Sequence, residues 1–421
     1  MRRKVKLFTV PLISALLFLL LASFVNAIVP SQKEKVENAE AKIEETQEEK
    51  EPEFVKELKN DFKLQYQLFR KAKLENNKFV YNTGNYRIIF TVDPQFQEAV
   101  ENEFKRFKIK YGAYVALDPK NGDVIAAVSS LKYPNLLFKR SFPTASTFKI
   151  VTAAAALDTG IATPKTELNC GGLGDSCSPS VWLNSPYRVE RVFSQSFATS
   201  ANPFFGNLGR LIGKKKLMEY AYRFGFNRRG YNFPWGVLRE PLDDYELALM
   251  AAGLGDTVTS PFHEALIAQT IVNDGVMVKP HIVEKVIDLK TGKEYDFKPV
   301  PIGRVVKEKT ADEIKKMMVL TVKIGTVANR RYFRLLRKYS GLTVGGKTGT
   351  LTERSYPEGR CEWFTGFMSY GGKTVAVSSV AVNNWLYYLS GYEISAVAAA
   401  DFVKLQERYA KGGKRCASSV R

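Results

Sequence analysis

Three short motifs stand in one order along the chain: Ser146-Thr147-Phe148-Lys149, then Ser200-Ala201-Asn202, then Lys347-Thr348-Gly349-Thr350. Together they supply a nucleophile, two amines, a hydroxyl able to relay a proton and a strand edge able to hold an acyl substrate. To act together they must meet in one cleft, and this constrains the fold more than any other feature of the chain. The set suits serine acyl transfer without histidine. Only two histidines exist, His263 and His281, so a histidine-based triad has little support.

A serine hydroxyl at neutral pH is a weak nucleophile and needs a base within hydrogen-bond reach. On a helix, positions i and i+3 share a face, so Lys149 reaches Ser146 Oγ. Pro143 and Thr144 read as a lead-in, and Phe148 to Leu157 is apolar and alanine-rich, which predicts a largely buried helix. Ser146 then sits near its N-terminus, where free N–H groups favour developing negative charge. That positive end, burial and a second cation are all expected to lower the pKa of Lys149, so that a neutral amine takes the serine proton. The pattern alone is also an ordinary helix surface. A second copy, Ser129-Ser130-Leu131-Lys132, follows a strand-like run and meets Tyr133-Pro134, which argues against a helix there.

Ser200 and Asn202 stand in a turn before Pro203, able to point into one cleft; a helix N-cap explains the same residues. Ser200 is placed to relay a proton to a leaving amine, and Asn202 to hold Lys149 and a substrate amide. For the third motif the chain again carries a decoy. Lys290-Thr291-Gly292 lies in alternating sequence and reads as a hairpin turn. The later copy follows Gly345-Gly346 and precedes a hairpin, Glu362 to Tyr370 and Thr374 to Val382, turning at Gly371-Gly372-Lys373. Gly349 is expected to permit close approach of a ligand backbone. The Thr350 N–H is expected to form an oxyanion hole with that of Ser146. The Thr348 and Thr350 hydroxyls suit a carboxylate, to which Lys347 adds positive charge while helping to activate Ser200.

These residues together resemble the serine transpeptidase domain of the penicillin-binding proteins, whose signature also appears in serine β-lactamases. The resemblance runs from about Thr91 to about Gln406 and extends beyond the three motifs. Thr91-Val92-Asp93-Pro94 resembles the lead-in to that domain, Gly112 to Val128 its first hairpin, Gly253 to Val283 the stretch before its third motif, and Trp363-Phe364-Thr365-Gly366-Phe367 the strand after it. The resemblance implies Ser146 as acylated nucleophile, Lys149 as base, and Ser200 and Asn202 on the second wall. It implies Lys347, Thr348 and Thr350 as ligands of the C-terminal carboxylate of a D-Ala-D-Ala peptide, with Gly349 between them. Peptidoglycan stem peptides and β-lactams are the implied ligands, cell-wall synthesis proteins are possible partners, and no cofactor or metal is implied. Class D β-lactamases share Ser-Thr-Phe-Lys, but their second motif usually ends in Val or Ile. Glu167-Leu168-Asn169 mimics the deacylation loop of class A enzymes but precedes the second motif. His263 stands where many relatives carry glutamine and reads as a core or surface residue.

The expected fold is α+β: a mainly antiparallel sheet flanked by helices, with a helical lobe, after an N-terminal membrane anchor. Residues 113–128 and the strands from Thr343 to Val382 are expected to share the sheet, with a helix over Tyr392 to Tyr409 packed across it. Basic Arg2, Arg3, Lys4 and Lys6 form a cytoplasmic stub (1–6) before the apolar run Leu7 to Val29. That run suits one membrane span, with the rest outside the cytoplasm at the inner membrane, in the periplasm. Val25-Asn26-Ala27 also fits a signal-peptidase site. Residues 30–85 read as a charged linker and short N-terminal segment, with the folded part beginning between Asp61 and Tyr86; 86–409 read as the transpeptidase domain and 410–421 as a basic tail. No room for a glycosyltransferase domain or a large pedestal precedes Thr91, so a minimal monofunctional member is expected.

The net charge of +19 suits anionic lipid or wall polymer, and equally a generally basic proteome. No nucleic-acid motif accompanies it, and no nucleic-acid role is assigned. Cys170 and Cys177 flank a short loop. In an oxidising compartment they suit a local disulfide that stabilises by roughly 2–3 kcal/mol; two free thiols are the alternative. Cys361 and Cys416 are remote, which argues against a metal site.

Overall fold

In the computed structural model, residues 51–171, 179–184, 186, 188–353, 358–383 and 389–418 are described. A five-stranded antiparallel sheet organises the site. Its strands are β1 (Gly112–Leu117), β2 (Val124–Ser129), β3 (Thr343–Glu353), β4 (Gly359–Tyr370) and β5 (Lys373–Asn383), in the order β3-β4-β5-β1-β2. Strands from the two ends of the domain meet where Ser378 pairs with Val115. The β4–β5 hairpin turns at Gly371 and Gly372, both at positive φ (59° and 78°), as a tight turn requires. The third motif lies on β3, so it occupies a sheet edge.

Helices cover both faces. α1 (Phe62–Phe69), α2 (Pro94–Arg106), α3 (Lys149–Asp158), α4 (Phe193–Thr199), α5 (Asn202–Ile212), α6 (Asp244–Ala252), α7 (Pro261–Val272), α8 (Glu308–Lys323) and α9 (Gly391–Ser418) are those that matter here. α2 starts at Pro94 with Asp93 capping the N–H groups of Gln95 and Phe96, each at 2.9 Å. It packs with the alanine-rich α9 on one sheet face, burying Phe96, Phe104, Phe364, Met368 and Phe402. α7 lies against the other face and is buried through eleven consecutive positions, Pro261 to Ile271, as expected of a helix enclosed all round. α3, α5 and α6 form the helical lobe.

The α+β architecture, the shared sheet and the helix across it all agree with the sequence reading. The decoy motifs fall as expected. Lys290 and Thr291 turn between strands Val283–Asp288 and Glu294–Asp296, with Asp288 accepting both of their N–H groups, and Ser129 ends β2. The compact unit that holds the site begins at Glu57, ahead of the Asp61–Tyr86 window. Part of the stretch read as linker is therefore folded. The strands Lys73–Glu75, Lys78–Asn82 and Tyr86–Phe90 build a second antiparallel sheet with Val283–Asp288 and Glu294–Asp296, and α1 packs on it through Phe69 and Phe79. Residues 7–29 lie outside the described residues, among which no helix is long and apolar enough to cross a membrane.

The Gly345-Gly346 pair has a packing cause. A Cβ on Gly346 would lie 2.3 Å from the Phe364 ring, and one on Gly345 2.7 Å from the Phe367 ring. Both rings of β4 therefore lie across β3, where larger residues would exclude them. Phe364 is fully buried and packs on Phe333 at 5.6 Å, so it has nowhere to go. Gly346→Ala is expected to destabilise by about 1–3 kcal/mol through overpacking. Denaturant unfolding measures this; an unchanged midpoint would refute the packing account.

Candidate active site

Ser146 lies in a 3₁₀ turn, Ala145–Phe148, that runs directly into α3. In a 3₁₀ turn residues i and i+3 eclipse, which puts Lys149 over Ser146 with Nζ 2.9 Å from Oγ. The turn is strained. Ala145, just before the nucleophile, has φ +49°, a conformation that costs on the order of 1 kcal/mol or more for a side-chain-bearing residue. Several contacts hold it. Thr147 Oγ1 donates to Thr144 O at 2.6 Å, Thr144 N to Thr257 O at 3.1 Å, and Trp363 Nε1 to Pro143 O at 2.9 Å. Gly253, at φ +78°, passes so close that a Cβ would lie 2.0 Å from Ala145 O.

Two amines meet below the turn. Lys149 is fully buried. Besides Ser146, its Nζ reaches Ser200 O at 2.8 Å, Ser200 Oγ at 3.1 Å and Asn202 Oδ1 at 2.6 Å. Lys347, also fully buried, donates to Ser200 Oγ at 2.8 Å and to Thr348 O at 2.9 Å. Ser200 thus bridges the two amines. It takes the left-handed conformation (φ +64°) as the C-cap of α4, which lets the chain turn sharply into α5 at Asn202. Burial first, and the nearby Lys149 second, hold Lys347 well below the ordinary lysine range.

Five predicted residues, Ser146, Lys149, Ser200, Asn202 and Lys347, therefore form one hydrogen-bonded network. The others stand beside it. Gly349 accommodates the protein's own backbone: a Cβ there would lie 3.1 Å from Thr144 O and 3.2 Å from Ala145 Cβ. Close approach at Gly349 thus seats β3 against the nucleophile turn. Thr348 is nearly buried, and its hydroxyl pairs with that of Thr326 at 2.7 Å. Thr350 is exposed at the sheet edge, opposite Glu362. The Ser146 N–H has no acceptor among the described residues, as suits an oxyanion donor.

Sequence reasoning missed Thr326 and Glu264. Thr326 follows α8 in a turn, and its N–H donates to Ala198 O at 3.1 Å; no local pattern marks it. Glu264, on α7, is 1% exposed and accepts from Thr365 Oγ1 at 2.6 Å, while its other oxygen has no hydrogen-bond partner among the described residues. Thr365 pairs in register with Lys347, and Thr147 and Thr259 also interact with the carboxyl. Burial lifts Glu264 to about 7, opposed by the hydrogen bond from Thr365 and the nearby Thr147 and Thr259 hydroxyls. A lone Glu in an apolar helix was the available signal. His263 is a core histidine: Nε2 donates to Phe224 O at 2.8 Å, Nδ1 accepts from Gly236 N at 2.9 Å, and burial lowers it to about 4. Cys170 is a buried free thiol raised to about 11 by burial; Cys177, its candidate disulfide partner, lies outside the described residues.

A serine beside a buried lysine, a second serine bridging two amines and a glycine-bearing edge strand meet in one cleft. The chain belongs to the penicillin binding protein transpeptidase domain family, whose model matches residues 112–404. Stage V sporulation protein D of Bacillus subtilis is 29% identical over 296 residues, covering 62% of this chain and 43% of that protein. A peptidoglycan D,D-transpeptidase, PbpA of Mycolicibacterium smegmatis, is 26% identical over 342 residues, covering 68% and 65%. The match thus spans less than two-thirds of each relative's own length. The crystal structure of PBPA from Mycobacterium tuberculosis shares the fold, with a TM-score of 0.62 at 22% identity over 75% of this chain and 79% of that one.

The Glu264 carboxyl carries a pH signature. Its ordinary value is 4.5 and its folded value about 7. Between these the folded chain holds a proton that the unfolded chain releases. Its contribution to stability therefore falls as pH rises through this window and levels off above it. Relative to the parent chain, Glu264→Gln is expected to gain roughly 3 kcal/mol between pH 4.5 and pH 8. Denaturant unfolding at both pH values tests this, and parallel pH curves for the two proteins would contradict it.

Proposed function

We propose that this chain is a serine D,D-transpeptidase of peptidoglycan cross-linking, acting on stem peptides that end in D-Ala-D-Ala and acylated by β-lactams. The observation that carries this reading is the 2.9 Å contact of Lys149 Nζ with Ser146 Oγ inside the network of Ser200, Asn202 and Lys347. Neutral Lys149 takes the Ser146 proton as Oγ attacks the penultimate D-Ala carbonyl. The N–H groups of Ser146 and Thr350 receive the oxyanion. The C–N bond to the terminal D-Ala breaks, and Ser200 relays the proton from Lys149 to the departing amine. The substrate carboxylate lies by Thr348, Thr350 and Lys347. Its negative charge favours the protonated form of an amine that burial otherwise disfavours, so substrate binding and Lys347 protonation support each other. An amine of a neighbouring stem peptide then attacks the acyl-enzyme and restores Ser146.

Water in place of that amine makes the same site a D,D-carboxypeptidase. On this reading residues 7–29 anchor the chain in the inner membrane, the catalytic domain works outside the cytoplasm, and other wall-synthesis proteins are its partners. The basic stub followed by an apolar run supports that placement.

Intact-mass spectrometry with benzylpenicillin, followed over hours beside Ser146→Ala, tests the proposal. The expected result is an adduct that persists and is absent from the variant. A transient adduct with penicillin consumed would make the chain a β-lactamase. No adduct on folded protein would leave a non-catalytic scaffold. With a D-Ala-D-Ala peptide, release of D-Ala that depends on an added acceptor amine marks transpeptidation, and release without one marks the carboxypeptidase.

A further inference from the structure

A cavity of about 1020 Å³ opens between α1 and the segment 132–139. No residue of the acyl-transfer network lines it. Lys63, Arg70, Lys71, Lys132 and Lys139 stand around it, and no acidic residue does. Elsewhere on the described surface some cations are paired with carboxylates: Arg87 with Glu75, Arg239 with Glu246 and Asp256, Lys315 with Asp274. Among the described residues, Lys63, Arg70, Lys71 and Lys132 form no ion pair with a carboxylate. Like charges gathered in a concavity repel one another and focus a positive potential into it, which a bound anion would relieve. Arg70 adds a planar fork of donors that matches carboxylate or phosphate.

Beside the cations, part of the lining is aromatic. Tyr66, 6% exposed, packs on Phe138 at 5.0 Å, and Phe138 packs in turn on Phe262 of α7 at 5.3 Å. Apolar ring faces beside convergent cations suit a ligand with both a ring face and negative charge. The volume matches ligand sites in general. A nucleic-acid duplex or a bilayer presents a broad face, which a concavity between a helix and a loop would meet only at its rim.

We propose that this cavity binds an anionic saccharide, a short sugar segment bearing carboxylate or phosphate, at a site separate from the Ser146 cleft. The choice of a saccharide rests on the transpeptidase reading; the need for an anion does not.

The test is titration calorimetry of the full chain in detergent, with and without prior acylation by benzylpenicillin to close the Ser146 cleft. The probes are peptidoglycan glycan strands stripped of stem peptides, which carry carboxylates, and poly(N-acetylglucosamine 1-phosphate), which carries phosphates. At least one probe is expected to bind in both states, and its identity names the anion. Arg70→Glu combined with Lys132→Glu is expected to weaken that binding at least tenfold, with the rate of penicillin acylation within twofold of the parent. Binding by neither probe, or equal binding by the charge-reversed variant, would overturn the proposal. So would a DNA duplex or phosphatidylglycerol vesicles binding as tightly with the same dependence on Arg70 and Lys132. Failure to acylate would count against the transpeptidase reading alone, because the unacylated titration reads the cavity independently.

Discussion

Four oxygen atoms lie within 3.1 Å of Lys149 Nζ, on a side chain with no solvent exposure. An ammonium has three hydrogens to donate, so this amine is fully satisfied when charged and still adjoins Ser146 when neutral. A buried charge without such partners would be expelled or neutralised. The acceptors come from the nucleophile turn, the end of α4 and the start of α5, so one amine ties three chain segments together. Lys347, bound through Ser200 Oγ, ties in the edge strand as a fourth. Chemistry and packing at this point are the same set of contacts.

The nucleophile turn is held by surroundings that overdetermine it. Ala145 keeps a left-handed backbone because Gly253 leaves room for its carbonyl and Gly349 brings β3 against the turn. Thr257 and Trp363 anchor the residues just before it. Behind them, the Glu264 carboxyl contacts Thr365 on the strand paired with β3. Local strain at a functional site persists when neighbouring elements leave no alternative, and here they come from α6, α7 and two strands of the main sheet.

The cationic cleft and the cationic α1 cavity differ in physical kind. In the cleft, the amines are buried, share a hydroxyl and, at Lys347, are pushed toward neutrality. Around the α1 cavity, the cations stand on the surface over an aromatic wall that continues through Phe138 to Phe262 on α7. The next residues of that helix are His263 and Glu264. One helix thus supports the wall of the cavity and the underside of the catalytic turn.

Much of the site was legible because its chemistry is carried by short, nearly contiguous patterns. Ser146 and Lys149 are one turn apart, and the third motif announces a strand through its glycines and β-branched neighbours. Each copy of a motif could be judged by its flanks, which correctly removed Lys290-Thr291-Gly292 and Ser129-Ser130-Leu131-Lys132. What stayed illegible depends on elements distant in sequence. The partner of Thr348 is Thr326, Gly349 faces Thr144 and Ala145, and Glu264 meets Thr365 and Thr147. The sequence by itself determined which side chains can perform acyl transfer and which segments are helix or strand, because those properties follow from residue type and short-range periodicity. Only the tertiary structure decided which oxygen each amine faces, which glycine yields to which backbone and where unpaired cations gather. Burial and contact arise when separate elements pack, and no single segment contains them.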